Sequence, residues 1–179
     1  MINVINDRNI SFRLANSSDF EYVKNLLTEG VEEGHYLKTL IENEEKFNQM
    51  VNALILQERD LSRDAITQTV ICLCGSVMIG FLSIASLRGG ICEFWYFSLE
   101  KKYQNNGFGS KIISKIEEMY YEQNFGKKPI FMARCNKNSC SMIKILLKKG
   151  YLQKNGNENE WDMFFKSKDK KFMKKTKTV

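Results

Sequence analysis

A single proline and a single histidine in 179 residues deprive this chain of two common devices. It has no proline-rich stretch to act as a stiff linker between domains, and His35 alone makes neither a metal site nor a histidine pair for catalysis. His35 reads as an ordinary surface residue. The cysteines, Cys72, Cys74, Cys92, Cys135 and Cys140, are odd in number and include no Cys-x-x-Cys pair. Most lie in apolar stretches, so they read as small buried hydrophobes of a reducing compartment, and no metal is expected. No apolar run approaches the ~20 residues needed to span a bilayer. Met1 to Arg8 lack the basic-then-apolar order of a secretory signal. A cytoplasmic protein with no membrane partner is the expectation.

What the chain does have is 43% apolar residues, enough at this length for one domain with a real core. Residues 1–166 are expected to form that domain, and 167–179 a basic, disordered tail. The net charge is +6, and seven lysines against Asp169 in residues 166–179 carry all of it. The body is neutral, so a nucleic-acid or anionic-surface role would rest on the tail alone and is disfavoured. Residues 29–64 show the opposite bias, with nine acidic side chains against four basic ones. That segment is either a solvated helix face or an acidic rim that concentrates a cationic partner. A homodimer is left open.

The order of elements follows from hydrophobic periodicity. Ile10 to Leu14 alternate like a strand, and Ser17-Ser18-Asp19 offer helix caps before Phe20, Val23 and Leu27. A long helical pattern from about Glu33 to Asp60 puts Leu37, Leu40, Ile41, Phe47, Val51, Leu54 and Ile55 on one face. Thr69 to Cys74 and Val77 to Ile84, joined at Gly75-Ser76, read as a hairpin. Ile91 to Leu99 is an aromatic-rich buried strand, and Ile112, Ile113, Ile116, Met119 and Tyr120 stripe one side of a helix. A strand over 130–133, a short helix over 142–149 and strands ending near 161–165 complete the chain.

The most informative stretch is Gln104-Asn105-Asn106-Gly107-Phe108-Gly109-Ser110, between the aromatic strand and the striped helix. Two glycines at a helix start let the backbone adopt conformations closed to other residues and approach a ligand closely. The first N–H groups of the helix have no intrahelical acceptor, and the positive end of its dipole lies beneath them, so a diphosphate fits without basic side chains. Commoner glycine motifs fail on spacing. Lys111 follows Ser110 rather than a glycine, which excludes a P-loop, and Ile112 stands where a dinucleotide fingerprint needs its third glycine.

The remaining pattern, Gln-x-x-Gly-x-Gly between a core strand and a core helix, resembles the acetyl-CoA pyrophosphate loop of the GNAT (general N-acetyltransferase) superfamily. Asn138, Ser139 and Ser141 opening a helix that ends at Gly150-Tyr151 are similar to the family's second hallmark, so the match runs from about Glu93 to Phe165. The resemblance implies an α/β (α+β) fold, a mixed, mostly antiparallel sheet of about seven strands flanked by about four helices. The strands at 91–99 and 130–133 would splay apart to admit the cofactor's pantetheine arm. Main-chain groups of Phe97, Ser98 and Leu99 would contact that arm as an added strand would. The amides of Gln104, Asn105, Asn106, Gly107, Phe108, Gly109 and Ser110 would take the pyrophosphate, with Asn138 and Ser141 beside the arm or the nucleotide. Counting back from Gly150 puts the family's asparagine at Ser139 instead, and both registers stay open.

Acetyl transfer from acetyl-CoA to an amine acceptor needs no enzyme nucleophile, but an alkylammonium of pKa ~10.4 must first lose a proton. Glu93 is the candidate base, eleven residues before Gln104, the interval that the resemblance to the histone acetyltransferase branch implies. The alternative is a strand glutamate paired with Arg88 or Arg134. A backbone N–H at the strand bulge, that of Leu99, would polarise the thioester carbonyl. The family's tyrosine acid, four residues before the Gly-aromatic pair, is Leu146 here. Three functions are therefore weighed: an N-acetyltransferase acting on a small cationic amine or on a protein amine, a non-catalytic acyl-CoA-binding module, and a tail-driven anion binder.

Overall fold

The computed structural model describes residues 10–57, 59–60, 65–123, 129–155 and 161–169. The leader reading of Met1 to Arg8 and the lysines of the tail from Lys170 onward lie outside the described residues. The elements run β1 (Ile10–Leu14), α1 (Phe20–Glu32), α2 (Glu44–Ile55), β2 (Arg59–Asp60), β3 (Ala65–Cys74), β4 (Val77–Leu87), β5 (Ile91–Leu99), α3 (Phe108–Gln123), β6 (Ile130–Asn136), α4 (Cys140–Lys148), β7 (Leu152–Asn155) and β8 (Trp161–Ser167). The sheet has the order β1-β3-β4-β5-β6-β8-β7, with the two-residue β2 pairing β3 off that path. Among the described residues every pairing is antiparallel except that of β5 with β6. The expected mixed sheet of about seven strands and four helices is observed.

One expected element divides. The pattern from Glu33 to Asp60 is not a single helix: α1 stops at Glu32 and α2 begins at Glu44. Gly34, at φ +74°, takes the left-handed position that ends a helix. The N–H of His35 donates to the Gly30 carbonyl and that of Gly34 to Val31, which satisfies the last carbonyls of α1. Asn43 then starts α2 afresh by accepting the Lys46 N–H at 2.9 Å. Asp19, one of the expected cap residues, holds the N-cap position of α1 without a side-chain cap bond of its own, and Asn16 caps the turn that leads into it. The Asn16 side chain takes the Ser18 N–H while Asp19 reaches back to the Asn16 N–H, closing a short 3-10 turn over Ser17–Asp19.

Apolar packing covers both faces of the sheet. On one, Ile112, Ile113 and Ile116 of α3 and Leu146 of α4 pack against Phe94, Phe131 and Phe164. On the other, Val23, Leu26 and Leu27 of α1 and Phe47, Val51 and Leu54 of α2 pack against Ile71 and Phe81. Burying such side chains contributes about 1.5–3 kcal/mol each. Four cysteines, Cys72, Cys74, Cys92 and Cys135, are buried as expected, while Cys140 is exposed. Among the described residues no helix is long and apolar enough to cross a membrane.

The site is positioned by the centre of the sheet. β5 runs beside β6 for only four pairs, from Ile91↔Ile130 to Phe94↔Ala133. Beyond that the strands separate, as β6 continues along β8 through Asn136↔Trp161 while β5 continues along β4 through Leu99↔Gly80. The expected splay of these two strands is therefore present. The register of β4 on β5 slips between Ser83↔Tyr96 and Ile84↔Phe94, leaving Trp95 as the extra residue of a bulge. The bulge expected near Leu99 thus sits four residues earlier, at the point where β5 leaves β6.

Candidate active site

The divergence of β5 from β6 opens a cleft of about 1390 Å³. It is bounded by the outer half of β5, the loop into α3, the first turns of α4 and the end of α1. Glu100 donates its N–H to the Ile79 carbonyl of β4, so by strand alternation Phe97 and Leu99 turn their main-chain groups the other way, toward the cleft.

The loop before α3 is shaped by two residues in the left-handed region, Asn105 at φ +60° and Gly107 at φ +80°. An L side chain at Gly107 would be strained there, although nothing lies within 4 Å of an added Cβ. Gly109 matters for a different reason. A Cβ there would meet Ile145 Cδ1 at 3.1 Å, close enough that this side-chain tip would have to give by a few tenths of an ångström, with Phe97 at 3.6 Å and Leu99 at 3.8 Å in ordinary contact. Gln104 holds the loop to its strand, donating from Nε2 to the Leu99 carbonyl at 2.9 Å. Asn106 donates to the Gln104 carbonyl at 2.8 Å. The Lys111 N–H already bonds Gly107, so the three N–H groups before it, at Phe108, Gly109 and Ser110, precede the helical ladder and are available as anion donors.

Phe97, Ser98, Leu99, Gln104, Asn105, Gly107, Gly109, Ser110 and Ser141 all line the cleft. Phe108 does not; its ring is buried in the core edge-on to Tyr103. Asn106 is exposed with its side chain folded onto the loop. Between the two registers considered for the family asparagine, Ser139 lines the cleft and Asn138 does not. Leu146 is fully buried in the core beside α3, so α4 shows the cleft Met142, Lys144 and Ile145 together with Ser141.

Glu93 lies at the root of the cleft and is only 2% exposed. Its Oε1 accepts from Arg134 Nε at 2.6 Å, and the Arg134 side chain is 43% exposed. Glu93 is thus an ion-paired strand residue, with Arg134 rather than Arg88 as its partner, and it also lines the cleft. The guanidinium compensates a charge that burial alone would penalise. Leu99 stands six residues along β5 from Glu93, about 20 Å at the rise of a strand, and Phe97 four, about 13 Å.

Sequence reasoning has Glu29 and Glu33 only as part of an acidic segment, reads His35 as a surface residue and misses Tyr36. Glu29, Glu33, His35 and Tyr36 all line the cleft, so His35 is a cleft residue rather than an ordinary surface one. Glu33 meets Lys101 at 3.1 Å and His35 at 3.5 Å, and His35 Nδ1 lies 3.4 Å from Ser139 Oγ. The Tyr36 hydroxyl reaches the main chain of β5 at Phe97. Tyr22 donates to Glu100 at 3.0 Å, and burial, with that carboxylate beside it, raises its phenol far above the ordinary range.

This architecture recurs in solved structures. A spermidine N-acetyltransferase from Vibrio cholerae, in complex with CoA and spermine, superposes with a TM-score of 0.68 at 11% identity, over 91% of this chain and 98% of that one. RimL, a ribosomal L7/L12 alpha-N-protein acetyltransferase in complex with coenzyme A, also gives 0.68, at 14% identity over 89% and 94%. The PaiA N-acetyltransferase from Thermoplasma acidophilum, in complex with coenzyme A, gives 0.65 at 14% over 89% and 99%. At such identities the likeness is one of fold. No curated protein matches this chain in sequence. The sequence model of the acetyltransferase (GNAT) family matches residues 29–146, from the end of α1 through the loop before α3 to α4, and the chain belongs to that family.

Proposed function

We propose that this protein moves an acetyl group from acetyl-CoA to a primary amine by direct attack within a ternary complex, and that the amine is a small cation. The observation that carries the reading is the open edge of β5, which leaves β6 beside a helix start rich in unengaged N–H groups and ends at the buried Glu93. The pantetheine arm runs along Phe97 to Leu99 as an added strand, and the pyrophosphate sits on the amides of 104–110. Ser141, with Ser139 in preference to Asn138, borders the arm from α4.

Glu93 takes the ammonium proton, directly or through water, and the neutral amine attacks the thioester carbon. The tetrahedral oxyanion collapses as its nitrogen gives its remaining extra proton to solvent, releasing coenzyme A as a thiolate that leaves tolerably near neutral pH because thiols have a pKa of ~8.5. The carbonyl needs an N–H donor within reach of this base, and Phe97 meets that need better than Leu99, which is two residues further away. The cation preference is supported by Glu29 on the cleft wall, since Glu33 beside it is already paired with Lys101. Of the related folds, one is a spermidine N-acetyltransferase and another a ribosomal L7/L12 alpha-N-protein acetyltransferase, so a protein amine is the second reading.

The buried thiols suit a reducing, cytoplasmic setting, and residues 1–166 are read as one domain ahead of a basic tail. A thiol-release screen over polyamines, aminoglycosides and peptide amines tests the reading. Turnover with at least one small cationic amine is expected. No turnover with any amine, alongside clear binding of acetyl-CoA by calorimetry, would leave a binding module and overturn the enzyme reading.

A further inference from the structure

The segment between α1 and α2 crosses the mouth of the cleft and touches both of its lips. Glu33 bonds Lys101 just ahead of the cofactor loop, and His35 approaches Ser139 at the start of α4. Tyr36 reaches deepest. The Phe97 N–H donates to its phenol oxygen at 3.2 Å, and the same oxygen lies 3.0 Å from the Phe97 carbonyl and 3.0 Å from Ser98 Oγ. One side chain thus engages both of the main-chain groups that Phe97 turns to the open edge. A phenol carries one proton, so it accepts from the N–H and donates to a single partner, the carbonyl or the serine.

The seat of this ring is built rather than incidental. Gly30 lies inside α1, where glycine costs about 1 kcal/mol of helix stability relative to alanine. A Cβ at Gly30 would intrude into the Tyr36 ring, so the glycine makes room for it. The ring meets Tyr96 edge-on at 5.4 Å between centroids. Burial pushes the phenol up to about 12, so it stays a protonated donor across the physiological range. Gly34, already in a left-handed conformation, supplies a backbone position that can rotate at little steric cost.

An acyl-CoA paired to β5 needs the same Phe97 groups, and two acceptors cannot share one N–H at full strength. We infer that Tyr36 is a positioning residue guarding the cofactor edge: its phenol oxygen holds the place of the thioester oxygen at the Phe97 N–H, and acyl-CoA must displace it to bind. The inference rests on reading β5 as the cofactor strand. It couples the loop after α1 to the cofactor edge, since cofactor binding would move that loop.

Calorimetry with acetyl-CoA on the full chain, without acceptor, tests this. Tyr36→Phe keeps the ring and removes the competing oxygen, so Kd for acetyl-CoA should fall roughly three- to tenfold, the effect of one net hydrogen bond. In turnover with an accepted amine, KM for acetyl-CoA should fall by a similar factor with kcat unchanged. Gly30→Ala, which crowds the ring out of its seat while favouring the helix, should shift Kd in the same direction and covers the case in which Tyr36→Phe is unstable. An unchanged or higher Kd in a folded Tyr36→Phe protein overturns the guard, as does an unchanged Kd with a lowered kcat, which would place the phenol in the chemistry. If the wild type binds and neither variant differs, the guard alone falls; if no variant binds acetyl-CoA at all, the cofactor reading falls with it. Binding by the variants but not by the wild type would support the guard in its strongest form.

Discussion

Glu93 and Glu117 are both nearly inaccessible, 2% and 6% exposed, and both compensate their charge with a basic side chain, yet they are held in different ways. Glu117, on α3, has both oxygens engaged inside the fold: Oε1 accepts from the Tyr151 hydroxyl at 2.7 Å and Oε2 from Lys166 at 2.5 Å. Tyr151 follows Gly150, whose left-handed φ of +81° ends α4, so the Gly-aromatic pair of the sequence is here a helix stop that delivers a phenol to a buried carboxylate. Burial, reinforced by the charge of Glu117, raises that phenol beyond the usual tyrosine range. Glu93 instead sits where the sheet opens, with an ion pair at Oε1 and a cleft in front of it. Two nearly buried carboxylates are thus separated by what faces them, one closed in by protein and one bordering an open cleft.

The largest expected effect comes from the open one. Glu93→Gln should lower acetyl transfer at neutral pH by about 10²–10⁴-fold, the usual worth of a general base, while the protein remains folded. The loss should shrink as the medium becomes alkaline and the amine deprotonates unaided. Equal rates for the two proteins at pH 7 would erase the distinction between the two glutamates.

Next in size, Glu117→Ala should cost about 2–3 kcal/mol in urea unfolding, because it leaves the Tyr151 hydroxyl and the Lys166 ammonium without their partner in a tightly packed site. Acetyl-CoA affinity should be unchanged. A variant of wild-type stability with weakened cofactor binding would invert the comparison.

A third carboxylate gives the smallest effect. Asp19 accepts from both Nη atoms of Arg13 at 2.7 Å and caps Asn16, and the hydrogen bonds from Arg13 chiefly hold its carboxyl below the ordinary value of 3.8. A depressed folded-state pKa stabilises the fold above the unfolded value, and that contribution is lost as pH falls below 3.8 through the folded one. Because Arg13 is 37% exposed, solvent screening limits the contribution to about 1 kcal/mol or less. Urea unfolding at pH 5 and pH 3 should show a smaller difference for Asp19→Asn than for the wild type. Identical differences would assign the acid sensitivity to other groups.

Legibility from sequence followed the range of the interactions. The loop at 104–110, the hairpin at Gly75-Ser76 and the stripe of α3, apart from the exposed Met119, are readable because each depends on residues a few positions apart. The helix expected over 33–60 failed for an instructive reason: Leu37, Leu40 and Ile41 continue the apolar spacing, but Leu37 is 48% exposed and belongs to the strap over the cleft. The stop at Gly34 and restart at Asn43 were present in the sequence and were outweighed there by periodicity. Arg134 was one of two partners offered for Glu93, and only the pairing of β5 with β6 selects it.

The sequence by itself determined the family and the glycine turn between β5 and α3, because glycine spacing and strand-helix alternation are local and act through backbone sterics. Tertiary structure alone decided which side chains close over the cleft. Tyr36 reaches Phe97 across 61 positions of chain, and it does so because Gly30 leaves room for its ring and the free edge of β5 has an N–H to satisfy.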